Sequence, residues 1–262
     1  MRRKALWRLV AAMVGAVLLV PGAVQPARAD DANWDSYVDL GIDVLTSFLQ
    51  KSEDGLDAFE LLELTRQLKD ALLGVKSDLF SHVDQLAVAD IRADARFTVD
   101  NVRMLDLPAT RGAYVIRVAG AAANAREKLT VFSSDAHRDT VGRAIIAEYQ
   151  ALLVGQGRLG MAPAYDQYEE ALRHVIDNVA PTCTEFYDPK LGSYTHSCNF
   201  NGKNVTGKQR ISSSTGLWEH SYDGVNWHPG EMNRAVVVSK VMEQTVQDLA
   251  KQALAQLMLH DH

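Results

Sequence analysis

Side chains able to bind a ligand are densest between positions 218 and 228, where Trp218, His220, Tyr222, Trp227 and His228 crowd together. Aromatic rings give flat apolar faces, and the imidazole and phenol groups beside them give polar edges, a mixture that suits a sugar ring or a partner protein. On a strand Trp218, His220 and Tyr222 share one face, because side chains alternate with period two. The same residues, with Tyr187, Tyr194, His196 and Phe200 nearby, fit a second use as the packing core of a small sheet. Exposure of that face separates the two readings.

Cys183 and Cys198 are the chain's two cysteines. Their even number and close spacing predict a disulfide. No C-x-x-C motif or paired-histidine pattern accompanies them, so neither a redox pair nor a metal site is expected. His220, His228, His260 and His262 have no common spacing that fixes a metal, and no cofactor is expected. Asp78 and His82, like Glu170 and His174, stand four apart and can pair on a helix face, for a few tenths of a kcal/mol (about 0.2–0.5). Two Glu-x-x-His helices, a G-x-S-x-G elbow, a P-loop, an H-E-x-x-H helix and a dinucleotide fingerprint are all missing. No catalytic residue can therefore be assigned, and the chain leans away from enzymes.

The segment Ser221-Tyr222-Asp223-Gly224-Val225-Asn226-Trp227 reads S-x-D-G-x-x-W and resembles a hairpin of some discoidin-type carbohydrate-binding modules. The likeness covers only this segment, and the sheet around it is too short for that fold. Asn204-Val205-Thr206 matches a glycosylation acceptor, which matters only in a eukaryotic secretory route.

The elements that must position these residues are mostly helical. Residues 1–29 read as a signal peptide: Arg2, Arg3, Lys4 and Arg8 precede the uncharged run Leu9 to Val20, and Ala27-Arg28-Ala29 forms a cleavage site. A secreted or extracytoplasmic location follows. The leader takes five of the 27 basic residues and none of the 33 acidic ones, which leaves the mature chain at −11. That acidity argues against nucleic acid as a partner.

Leu61, Leu64, Leu68, Leu72, Val75, Leu79, Val83 and Leu86 repeat every eleven residues, or about 3.67 per turn, which predicts a nearly straight apolar stripe. A first helix carrying Tyr37 to Leu49 precedes it. The stripe's helix is expected to start near Asp57 and run past Arg103 to Leu107-Pro108, about 70 Å at 1.5 Å per residue. Asp90 and Asp94 fall on its dry side and suggest a bend near residue 90. Further helices are expected at Thr110 to Phe132, from Ser134 to Gly155, and from Pro163 to Val179.

From Thr182 to Gly230 helical periodicity stops. Asn201-Gly202 and Asp223-Gly224 predict hairpins among strands at Ser193–Phe200, Asn204–Ser213, Leu217–Tyr222 and Val225–His228. Glu231 to about Leu259 then returns to helix.

The expected fold is mainly α: an elongated antiparallel helical bundle (residues 30–181), a small disulfide-closed antiparallel β insertion at its tip (182–230), and a last helix (231–262). The expected function is an exported, non-enzymatic binding protein whose aromatic tip contacts a glycan, an envelope component or a partner protein. A helical pore-forming or membrane-active protein is the alternative, resembling the helical haemolysins in shape. Its apolar segments, Tyr114 to Ala123 and Ala235 to Val241, are short and interrupted by Arg117 and Ser239. A hydrolase without a recognisable motif comes third.

Overall fold

A computed structural model describes residues 34–54, 58–86 and 88–260. The expected leader over residues 1–29, its cleavage site and His262 lie outside the described residues. Among the described residues the chain forms eight α-helices and one five-stranded antiparallel sheet, which carries the Cys183–Cys198 disulfide.

Helices α1 (Trp34–Asp54) and α2 (Ala58–Val83) pack together. Leu68, Leu72, Val75, Leu79 and Val83 are all buried, so the apolar stripe is the packed face of α2. Gly74 lies on its wet side, and the helix continues through it.

The helix expected to continue past Arg103 instead stops at Val83. The chain turns, and α3 (Ala89–Asp100) folds back against α2. Lys76–Asp100, Lys69–Asp106 and Arg96–Asp84 ion pairs run in opposite sequence directions, as an antiparallel hairpin requires. The reason is the loss of register at Asp90 and Asp94. A straight helix would have driven both carboxylates into the dry side. After the turn Ile91, Ala95 and Val99 take the buried positions and Asp90 pairs with Lys128 in solvent. Asp94 stays buried, held by Arg117 and by Asn124 at 3.1 Å.

A 3₁₀ segment (Val102–Asp106) leads to α4 (Pro108–Lys128), with Pro108 in the first turn, where its missing N–H costs nothing. Helix α5 (Asp135–Arg158) follows and is buried on every side from Asp139 to Gly155. It touches α1, α2, α3, α4, α6 and α8, which makes it the hub of the helical region. A helix buried on every side has no wet face and hence no periodic stripe, so the hub is less visible in sequence than α2. Small residues let its neighbours close in: a Cβ on Gly142 would sit 2.7 Å from Val246 Cγ1.

Helix α6 (Tyr165–Asn178) leads directly into the sheet, and α7 (Arg234–Met242) and α8 (Val246–His260) follow it. The single helix expected after Glu231 is thus two. Gln244 has φ +67°, and the break lets α7 face strands while α8 faces helices. Buried α5 side chains satisfy the broken backbone. Asp139 accepts from the Val246 amide at 2.7 Å, and Arg143 donates to the Gln244 carbonyl at 2.9 Å.

Candidate functional site

The sheet is a simple meander of β1 (Thr182–Asp188), β2 (Ser193–Phe200), β3 (Lys203–Ile211), β4 (Trp218–Ser221) and β5 (His228–Pro229). β1 was not among the expected strands, although its Thr, Phe and Tyr residues are good strand formers. Asn201 and Gly202, at φ +48° and +80°, make the predicted two-residue turn between β2 and β3. Asp223-Gly224 lies instead in a longer loop. There the Asp223 carboxylate accepts from the amides of Val225 and Asn226, both at 2.8 Å, and from Ser221 Oγ at 2.9 Å. Those bonds, the two amides first, hold its pKa far below the usual carboxylate range. The residues of the S-x-D-G-x-x-W segment are therefore used to build this loop.

Register and period two place Cys183, Glu185 and Tyr187 of β1 on one face with Tyr194, His196 and Cys198 of β2. Gly207, Gln209 and Ile211 of β3 and Trp218 and His220 of β4 join them. Cys183 and Cys198 are directly opposed, so the bridge ties β1 to β2.

This face has two halves. Toward the Asn201-Gly202 turn it is closed: His196, Cys198 and Phe200 are buried, and α7 lies over the sheet. Gly207 makes that approach possible, since a Cβ there would come within 2.8 Å of Val237 Cγ2. Toward the opposite end the face is open. Tyr187 and Tyr194 are 47% and 41% exposed with ring centres 4.5 Å apart, and Tyr194 lies 6.1 Å from Trp218. Three rings thus form a row across β1, β2 and β4. Leu191, Ile211 and Leu217, all exposed, add apolar surface at the same end.

The five residues singled out in sequence divide among separate roles. Trp218 belongs to the open row. His220 bonds the Gly230 carbonyl at 3.1 Å, and the Tyr222 hydroxyl accepts from the Asn233 amide at 3.0 Å, so both fasten the sheet to the segment leading into α7. His228 is exposed and opposite His220, with ring centres 5.9 Å apart. Trp227 stacks under the Arg210 guanidinium at 3.7 Å, and Arg210 bonds Glu219 on the other face. Tyr187 and Tyr194, near the aromatic cluster in sequence, belong to the row. Recognising β1 as a strand would have paired them.

Electrostatically the sheet is balanced: Lys190, Lys203, Lys208 and Arg210 offset Glu185, Asp188, Glu219 and Asp223.

Among the described residues two polar centres lie away from the sheet in the helical region, in addition to a charged surface groove lined by Glu63, Arg66, Lys69, Asp106 and Arg158. Glu148, in the middle of α5, is fully buried, and neither carboxylate oxygen has a hydrogen-bond partner there. Burial first, then the charge of Asp94, pushes its carboxyl well above the usual range, which favours the protonated form. Tyr37, Tyr114 and Tyr168 are raised by burial as well. With no exposed surface, this cluster cannot meet a substrate. The second centre is a groove of about 560 Å³ lined by Arg126, Glu170, Arg173, His174 and Asp177. Glu170 pairs with Arg126 at 3.0 Å rather than with His174, whose Nδ1 lies 3.2 Å from Asn178. The Asp78–His82 pair does form, at 3.5 Å.

No protein-family model, curated protein or solved structure matches this chain. Among the described residues no helix is long and apolar enough to cross a membrane.

Proposed function

We propose that this is an exported, non-enzymatic binding protein: an elongated helical bundle that presents residues 182–230 at its tip to grip a neutral glycan of a cell envelope or extracellular matrix. The observation that carries this reading is the row Tyr187, Tyr194 and Trp218. Large aromatic side chains left partly in water on the open half of this face expose apolar surface that folding has not used, and such patches mark contact sites. Rings spread across neighbouring strands match the flat, repeating shape of a polysaccharide better than a deep pocket would. The balanced charge of the sheet favours an uncharged ligand over a strongly ionic one.

The test is co-sedimentation of the purified protein with insoluble neutral polysaccharides, with chitin, cellulose and curdlan as probes. At least one should retain the wild type, and Tyr194→Ala and Trp218→Ala should each weaken retention about tenfold, the equivalent of 1.4 kcal/mol. Trp227→Ala, on the opposite face, should bind like the wild type. Equal loss in all three variants, or no retention of the wild type by any probe, would remove the reading.

A further inference from the structure

The disulfide sits beside a histidine that the spacing of the cysteines does not reveal. His196 lies two residues before Cys198 on β2 and shares its face, and Cys183 is directly across on β1. His196 Nε2 is 3.4 Å from Cys198 Sγ, and its other ring nitrogen, Nδ1, is 3.2 Å from Glu185 Oε1. The two sulfur atoms and a histidine nitrogen lie within 4.8 Å of one another. Two sulfurs and one imidazole, with a carboxylate behind the imidazole, make up the donor set and supporting shell that zinc-type ions use.

We propose that Cys183, Cys198 and His196 form a redox-gated site for a zinc-type divalent ion, shut while the disulfide is intact and able to take the metal once it is reduced. Oxidised, both sulfurs are spent on each other. A small dithiol cleaves the S–S bond by exchange and departs as its own disulfide, leaving two protein thiols. Cys183 is exposed, which gives the attacking thiol a way in. Binding of the ion releases both thiol protons and forms two metal–thiolate bonds and one bond from His196 Nε2, with a water completing the tetrahedron. With the disulfide closed, His196 Nδ1 is buried and makes no hydrogen bond; a small turn of the Glu185 carboxylate, 3.2 Å away, would let it accept the Nδ1–H and fix the tautomer that leaves Nε2 free to coordinate. Glu185 is also ion-paired with Arg234, the first residue of α7, so the site lies on the seam between sheet and helix. The metal would replace the covalent staple between β1 and β2 in a reducing environment.

Cobalt(II) reports on such a site through a thiolate charge-transfer band and the visible bands of tetrahedral coordination. The full chain, reduced with a phosphine that is converted to its oxide, should take up one cobalt ion with both signatures. The oxidised chain should take up none. The Cys183→Ser/Cys198→Ser variant should lose the charge-transfer band, His196→Ala should lose the tetrahedral bands, and Glu185→Gln should bind about 10–100-fold more weakly. Circular dichroism of each sample checks that the helices persist. The proposal is overturned if the reduced chain shows no thiolate–cobalt band, or if His196→Ala binds cobalt as the wild type does. A reduced chain that loses its sheet and does not regain it with cobalt overturns it equally.

Discussion

The helical region and the sheet solve opposite problems. Around α5 every side chain from Asp139 to Gly155 is buried, and even a carboxyl group, Glu148, is enclosed. In the sheet, β1 is exposed along nearly its whole length, and the aromatic face is covered over only half its area. The first region is held by apolar burial at about 25 cal/mol per Å². The second has too little apolar area for that and relies on a cystine, a tight Asn-Gly turn, the Asp223 loop and the lid of α7. Large apolar side chains that stay wet in the second region are thus not needed where the stability lies, which makes them available for contact.

The sharpest way to break this contrast is to remove apolar volume from each region. Leu153→Ala, at a fully buried position of α5, should cost about 2–5 kcal/mol in denaturant unfolding. Ile211→Ala, 53% exposed on β3, should stay within about 0.5 kcal/mol of the wild type. Comparable losses would mean that exposed residues of the sheet are packed as tightly as the buried core, which Cys198 and Phe200 share with the helices.

Removing the staple tests the sheet alone. The bridge joins cysteines 15 residues apart, and the Cys183→Ser/Cys198→Ser variant should lose about 3 kcal/mol in the chain-entropy account. The loss should appear first in the fluorescence of Trp218 and Trp227, while the far-ultraviolet helical signal holds. Simultaneous loss of both signals would contradict a locally stapled sheet.

A smaller effect of opposite sign is expected at Glu148. Because burial raises its folded pKa above the ordinary 4.5, the folded chain keeps a proton that the unfolded chain has already released. Its contribution is therefore full below about pH 4.5 and is lost as pH rises towards the folded value. Glu148→Gln should remove that slope and stabilise the protein at pH 8 by roughly 1–3 kcal/mol. Equal stability of variant and wild type across this range would show that Glu148 ionises freely.

How much of this was legible in the sequence depended on whether a residue's role was local. The stripe from Leu64 to Leu86 and the Asn201-Gly202 turn follow from spacing alone. The reversal near residue 86 was signalled only as a misfit at Asp90 and Asp94, because no glycine or proline marks it. The split at Gln244 was hidden for a tertiary reason: its backbone is satisfied by Asp139 and Arg143, about a hundred residues away. In the site, period two places Trp218 and His220 on one face, as the register does, whereas Tyr222 lies past the end of β4; which of them stay open depends on where α7 lies. Glu148 was visible as a carboxylate between Ile145 and Leu152, and only the packing of surrounding helices shows that it lacks a partner.

A role in binding requires the aromatic row to be spare for folding. Its most direct test is thermal unfolding of the triple variant Tyr187→Ala/Tyr194→Ala/Trp218→Ala beside the wild type. The expected result is a melting temperature within about 3 °C, equivalent to roughly 1 kcal/mol for a chain of this size. A drop as large as that of Leu153→Ala would show that the rings are part of the core and contradict their availability for a ligand.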